Sequence, residues 1–189
     1  MDKIELRTER LLLRAPSPSD VEAITAACQD PEIQRRIPIP VPYTRSDAER
    51  YVTIYSDSGW ASGKSCTWAI TIADEFVGAI GLDGIGSEQA TIGYWLAVSS
   101  RGRGLLTEAA QAVVEFGFAR PPTGLGLIRI EWHAYAGNVA SARVARRVGF
   151  HFEGTLRLGA VGRYAREDDW VAGILAEDGQ SSPVWAILP

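Results

Sequence analysis

Between Thr91 and Phe118 the chain reads TIGYWLAVSSRGRGLLTEAAQAVVEFGF, and its hydrophobic period changes once, from two to 3.6, across the segment that holds Gly102 and Gly104. A strand over Thr91 to Val98 must therefore hand over to a helix, predicted at 105–120 with Leu105, Ala109, Val113 and Phe116 on one face. The first N–H groups of such a helix have no internal partner and lie at the positive end of its dipole. Gly102 and Gly104 let the backbone approach a bulky group, and Arg101 and Arg103 add charge suited to phosphate oxygens. A pyrophosphate fits that chemistry. A plain tight turn with solvated arginines fits the same residues, and the segment alone leaves both readings open. Two commoner phosphate loops are excluded: there is no GxxxxGK[ST], and GRGLLT lacks the third glycine of the dinucleotide fingerprint.

The rest of the chain frames this turn. Ile4, Leu6, Leu11 and Leu13 alternate with charged residues as a first strand. Ser19 and Asp20, with Glu22 behind them, open a helix over 20–29, and Thr44 to Tyr51 reads as a second. Between them the prolines of IPIPVP, residues 37–42, impose an extended loop. Strand signals follow at Thr67 to Ala73, Phe76 to Asp83 and Thr91 to Val98, spaced closely enough for antiparallel hairpins. After the 105–120 helix come a strand at Leu127 to Tyr135, a helix at Ser141 to Phe150 closed by Gly149, and strands near 151–158 and 168–176. This order predicts one α+β domain over residues 1–189, with a largely antiparallel sheet of about seven strands and about four helices.

Composition bounds the function. With 189 residues, 46% of them hydrophobic, the chain can bury a core, and its net charge of −4 argues against a general nucleic-acid surface. Cys28 and Cys66 lack metal-ligand or disulfide spacing and are expected to be reduced and buried, so no metal site is assigned. No basic start precedes an apolar core at the N-terminus, and no apolar run nears the roughly 20 residues that span a bilayer. A cytoplasmic location without membrane contact is expected.

RGRGLLTEA resembles the acyl-CoA signature of the GCN5-related N-acetyltransferase (GNAT) superfamily, in its RimJ/RimL-like branch, where IGYWL precedes RGRG and TEA follows. TERLLLR near the start, GNVASARVARRVGF at 137–150 and EGTLR at 153–157 are similar to that branch in the same order. The resemblance implies acetyl-CoA in a V-shaped opening between the strands at 91–98 and 127–135, the fourth and fifth of the family's core. Pantetheine would pair with backbone around Leu96, Ala97 and Val98 and reach Asn138. The pyrophosphate would lie over Arg101, Gly102, Arg103, Gly104, Leu105 and Leu106, with Thr107 next in line. Leu106 stands where the signature usually has glycine or alanine.

The resemblance implies acetyl transfer to a primary amine by direct attack, the amine belonging to a protein N-terminus or a small molecule, and it suggests a homodimer. Ser141 of NxxS would hydrogen-bond the sulfur and act as acid; as a residue it equally suits a helix N-cap. The base is open. Relatives carry glutamates at positions that are Thr91 and Ala160 here, which leaves Glu131, His133 on the same strand face, and Asp83 as candidates. Trp60 and the proline loop are placed to shape an acceptor site. The other class of function is a catalytically weak acyl-CoA sensor that keeps the turn and lacks the base; a nucleotide-dependent oxidoreductase is a distant third.

Overall fold

The computed structural model describes residues 1–178 and 183–188. Its order is β1 (Leu6–Arg7), β2 (Leu12–Arg14), α1 (Val21–Ala27), α2 (Pro31–Arg36), α3 (Arg45–Arg50), a π-helical stretch (Tyr51–Ser56) and α4 (Asp57–Ser62). There follow β3 (Ser65–Ile72), β4 (Glu75–Gly86), β5 (Gln89–Leu96), α5 (Leu105–Phe118), β6 (Arg129–Tyr135), α6 (Val139–Val148), β7 (His151–Val161) and β8 (Arg166–Leu175). All eight strands form one sheet in the order β1-β2-β3-β4-β5-β6-β8-β7.

The mixed α+β class stands, with one more strand than expected. The N-terminal segment is not a single strand. It folds back on itself, Thr8 N–H bonding Leu11 O at 3.0 Å, and β1 pairs with β2. Helix α2 is an addition to the two helices expected before β3: Asp30 accepts from Glu32 N–H as its N-cap and Pro31 takes the first helical position, where a missing N–H costs nothing. The second helix runs on past Tyr51 through the π-helical stretch to Ser62, where Gly63 ends it at φ +68°. The β3–β4 turn falls on Ala73 and Asp74, and the β4–β5 turn on Ser87 and Glu88. All four have positive φ, which is the twist a two-residue hairpin needs.

Period-two alternation divides the sheet into two faces. Cys66, Trp68, Ile70, Ile80, Leu82, Ile92, Ile130 and Trp132 point to one side and join Leu105, Ala109, Val113 and Phe116 of α5 and Ala142 and Ala145 of α6 in the main core. Gly117 allows α5 to sit low on this face, since a Cβ there would lie 2.7 Å from Ile130. On the other side, α1, α2, α3 and the π-helical stretch enclose a second cluster of Val21, Ile24, Cys28, Ile33, Tyr43, Ala48 and Val52, against which Phe76 and Trp95 pack. Both cysteines are free and buried, and burial pushes the thiols up, to about 11 for Cys28 and about 12 for Cys66.

Trp60 belongs to the core and not to an acceptor site. It is 1% exposed, meets Trp68 edge-on at 5.1 Å, and its indole N–H donates to Thr67 O at 3.0 Å. Its ring is covered because α4 lies across the start of β3. Trp60→Ala is expected to cost about 3–5 kcal/mol of stability, read as a drop in the denaturant midpoint. A variant of unchanged stability would contradict this placement.

Candidate active site

Strands β5 and β6 run parallel and pair only from Gln89↔Arg129 to Ile92↔Trp132. Beyond that point each stays bound to its outer neighbour: β5 to β4 as far as Gly78↔Leu96, and β6 to β8 as far as Tyr135↔Asp169. The two inner edges therefore diverge, leaving Gly93–Leu96 and His133–Tyr135 facing each other across a gap. This is the V-shaped opening anticipated between those strands. A cleft of about 960 Å³ passes through it and touches both faces of the sheet.

Along β5 the backbone groups alternate in direction. Ala97 N–H is bound to Val77 O of the β4 side at 2.9 Å, so Leu96 offers its edge to the gap. Leu96 O accepts from Arg101 Nε at 3.2 Å. Val98, which opens a short 3₁₀ turn, is exposed.

The glycine turn has the shape its residues suggested. Gly102 and Gly104 adopt φ +75° and +76°, and α5's first internal bond is Glu108 N–H to Gly104 O at 3.2 Å. The N–H groups of Leu105, Leu106 and Thr107 thus precede any intrahelical acceptor, and Gly104, the residue at the cap position, has no side chain to cap them. Leu106 lines the cleft and leans on the main core. The two arginines differ: the Arg101 side chain also forms an ion pair with Asp30, ahead of α2, while Arg103 takes part through its backbone carbonyl, which accepts from Arg10 Nη1 at 3.1 Å.

Arg10 was not anticipated as part of the site. Glu108 of the TEA segment holds the N-terminal hairpin through three groups: Thr8 Oγ1 at 2.5 Å, Arg10 N–H at 3.0 Å and Arg10 Nε at 2.7 Å. These bonds keep the Glu108 carboxyl below the ordinary carboxylate range despite partial burial. The signal was present in the sequence, since TERLLLR and TEA both belong to the resemblance, although 98 residues separate Arg10 from Glu108.

Asn138 is the N-cap of α6, its Oδ1 accepting from Ser141 N–H at 3.3 Å. The capping role is therefore not Ser141's. Ser141 Oγ accepts instead from Trp132 Nε1 at 3.0 Å, and because an indole N–H can only donate, the serine proton is left free to point elsewhere. Tyr94 reaches across from β5 to donate to Ser141 O at 3.0 Å, and burial pushes its phenol up.

His133 follows Trp132 and points to the opposite face of the sheet, where it lines the cleft. Its Nδ1 lies 2.7 Å from Asp169 Oδ2. A carboxylate accepts, so that nitrogen carries the proton and Nε2 keeps its lone pair in the neutral ring. Glu131 is bound to Arg129 Nε at 3.0 Å, is absent from the cleft lining, and approaches His133 Nε2 at 3.8 Å. Asp83 lines the cleft on the same face as His133, and Tyr55 donates to its Oδ1 at 2.5 Å. Between them the paired residues Gly81 and Gly93 leave the sheet without side chains. Of the proline loop, Ile37, Pro38 and Ile39 border the cleft.

Residues 10–151 match the model of the acetyltransferase (GNAT) domain. The chain belongs to the GNAT acetyltransferase family. It is 32% identical over 157 residues to the uncharacterized N-acetyltransferase p20 of Bacillus licheniformis, covering 80% of this chain and 85% of that protein. Among solved structures it resembles Mycobacterium smegmatis RimJ in complex with CoA-disulfide at TM-score 0.81 and 26% identity, covering 95% of this chain and 90% of that one. RimL, the ribosomal L7/L12 α-N-protein acetyltransferase, in complex with coenzyme A shares the fold at TM-score 0.81 and 23% identity, with 91% and 98% covered. The protein is thus a GNAT N-acetyltransferase similar to RimJ, and the family's cofactor is acetyl-CoA. No helix among the described residues is long and apolar enough to cross a membrane.

Because Glu108 and Arg10 tie the hairpin to the turn, Arg10→Ala is expected to loosen the start of α5. Hydrogen exchange of the amides from Glu108 to Gln111 should rise about tenfold for each 1.4 kcal/mol of lost local stability. Exchange in the β3–β4 hairpin should stay unchanged. Equal acceleration in both places would mean a global effect.

Proposed function

We propose that the protein transfers an acetyl group from acetyl-CoA to a primary amine by direct attack, with the cofactor in the β5–β6 gap and the amine arriving over the glycine floor. The observation that carries this reading is that a hydroxyl and an imidazole, each oriented by a hydrogen-bond partner, flank the same gap from opposite faces. Ser141 stands on the α6 side, bound to Trp132; His133 stands on the other side, bound to Asp169.

In this reading the pyrophosphate rests on the N–H groups at 105–107, with Gly102 and Gly104 as its approach and Arg103 beside it. Pantetheine follows the β5 edge at Leu96, whose carbonyl also accepts from Arg101 Nε, and passes Asn138. The thioester then lies near Ile92 and Trp132, where the strands part. The ammonium first gives one proton to His133 Nε2, which passes it to solvent, and the neutral amine nitrogen attacks the carbonyl carbon. As the carbon–sulfur bond breaks, the nitrogen gives its second proton to His133 Nε2 and Ser141 donates its proton to the departing thiolate and regains one from solvent, so an amide, free CoA thiol and one net proton result. Glu131, held by Arg129, acts on the orientation of His133 in this arrangement; a carboxylate already bound to a guanidinium is a poor proton acceptor.

The acceptor is a primary amine; the RimL name describes a protein α-amino group, and the same chemistry serves a small-molecule amine. A weak acyl-CoA sensor of the same fold is the competing reading. The two separate when thiol release from acetyl-CoA is measured against a panel of amines and N-terminal peptides: acceptor-dependent release supports transfer, and CoA binding without it supports the sensor.

Ser141→Ala is expected to lower kcat about 10²-fold with CoA affinity nearly unchanged; a variant of normal kcat would remove serine from the mechanism. Gly104→Val, which forces a β-branched residue into φ +76°, should weaken CoA binding by more than about 1 kcal/mol in calorimetry. Undiminished affinity would contradict the pyrophosphate placement.

A further inference from the structure

Carboxylates around the cleft are matched to cationic or ring N–H partners. Asp30 pairs with Arg101, Glu32 with Arg36, Glu108 with Arg10, Glu131 with Arg129, and Asp169 with His133. Asp83 differs. It lines the cleft, yet it has no salt-bridge partner among the described residues, and its hydrogen-bond donor is the neutral Tyr55 hydroxyl at 2.5 Å. The titratable groups that sense it are Tyr51, Tyr55 and Cys66, none of them a cation.

Drawing a carboxylate out of water without a cation is costly, and the cost disappears when a cation arrives. Burial accordingly holds the Asp83 carboxyl above the ordinary range, with the Tyr55 hydrogen bond opposing it. The wall beside Asp83 suits the same visitor. Tyr51 and Tyr55 stack with ring centroids 5.6 Å apart and planes 13° off parallel, and aromatic faces attract ammonium groups. The neighbouring floor is bare: Gly93 is exposed, and a Cβ there would meet nothing within 4 Å. A small group can lie on the sheet between Asp83 of β4 and His133 of β6.

We infer that Asp83, its carboxylate steadied by Tyr55, docks the ammonium group of the acceptor beside Gly93, so that the substrate class is a compact primary amine that arrives protonated. The inference rests on the acceptor side assigned under the acetyl-transfer reading and adds a charge requirement to it. An acceptor whose amine is flanked by an acidic group would be repelled at the same point, and a neutral amine would forgo the attraction.

The test compares ethylamine, protonated at neutral pH, with 2,2,2-trifluoroethylamine, of similar size and largely neutral there. For each, kcat/KM is measured with the wild type, Asp83→Asn and Asp83→Glu. The expected result is that Asp83→Asn lowers the ethylamine-to-trifluoroethylamine ratio of kcat/KM at least tenfold and Asp83→Glu restores part of it. A loss of structure would depress both amines alike, so an unchanged ratio overturns the inference. Calorimetry of ethylammonium with the CoA-saturated protein gives a readout that needs no turnover. Binding weakened at least tenfold by Asp83→Asn supports the docking role even if no amine releases thiol, in which case the acetyl-transfer reading fails alone. Binding of equal strength in the two proteins, or no binding to the wild type, overturns the docking role.

Discussion

The divergence of β5 from β6 is the constraint on which the rest depends. Two parallel strands that pair at Gln89–Ile92 would ordinarily continue to pair, since unmet N–H and C=O groups in a sheet interior are costly. They separate here because each has a stronger commitment on its far side, β5 to the long β4 hairpin and β6 to β8. Trp132, 1% exposed, pins the last paired residue into the core just where the gap begins. The opening is thus a consequence of outer pairing and core packing and needs no strain at the gap itself. Tyr94 and Asn138 then fix α6 across its mouth, which sets Ser141 at the rim.

The glycine turn depends on a distant part of the chain. A segment with two left-handed glycines has a large conformational entropy to lose, and its N–H groups are useful to an anion only if they are already aimed. Thr8, Arg10 and Glu108 supply that order from one side, and Arg101 with Asp30 and Leu96 O supplies it from the other. The first link explains why an N-terminal hairpin of two very short strands is retained at the sheet edge. The second connects the turn to the N-cap of α2, whose Ile33 and Arg36 line the cleft, so both ends of the cleft share one rigid frame.

Much of this frame was legible in the sequence because it is local. The switch of period at Ser99–Gly104, the hairpins from β3 to β5 and the Gly149 helix stop each depend on neighbours a few residues apart. The strand count was off by one because Thr8 and Leu11 close a turn inside a pattern whose alternation, read alone, continues. Helix α2 was hidden by its brevity and by the prolines that follow it. Site residues divided the same way. The turn was legible from its own residues, and Asn138 and Ser141 were singled out by the resemblance alone, whereas Asp169, Tyr55 and Arg10 act across pairings that sequence does not display. Trp60 misled for the opposite reason: GWASGK looks like an exposed loop, yet its tryptophan is folded under α4.

Charge gives the cleft a direction. Arg143 and Arg147 of α6 border it on the side of the main core, and the dipole of α5 adds to them at the turn, whereas Asp83 lies on the opposite face near the floor of Gly81 and Gly93; Arg36 and Arg101 also border the cleft but are paired with Glu32 and Asp30. A chain of net charge −4 thereby concentrates positive potential where phosphates would lie and keeps a carboxylate where an ammonium would approach. That polarity has a kinetic consequence. On the proposed reading, two substrates of opposite charge would be drawn to opposite faces and would not compete for the same entrance, so a complex holding both could form without either blocking the other. Direct attack requires such a complex, and a single uniformly charged groove would not provide it as readily.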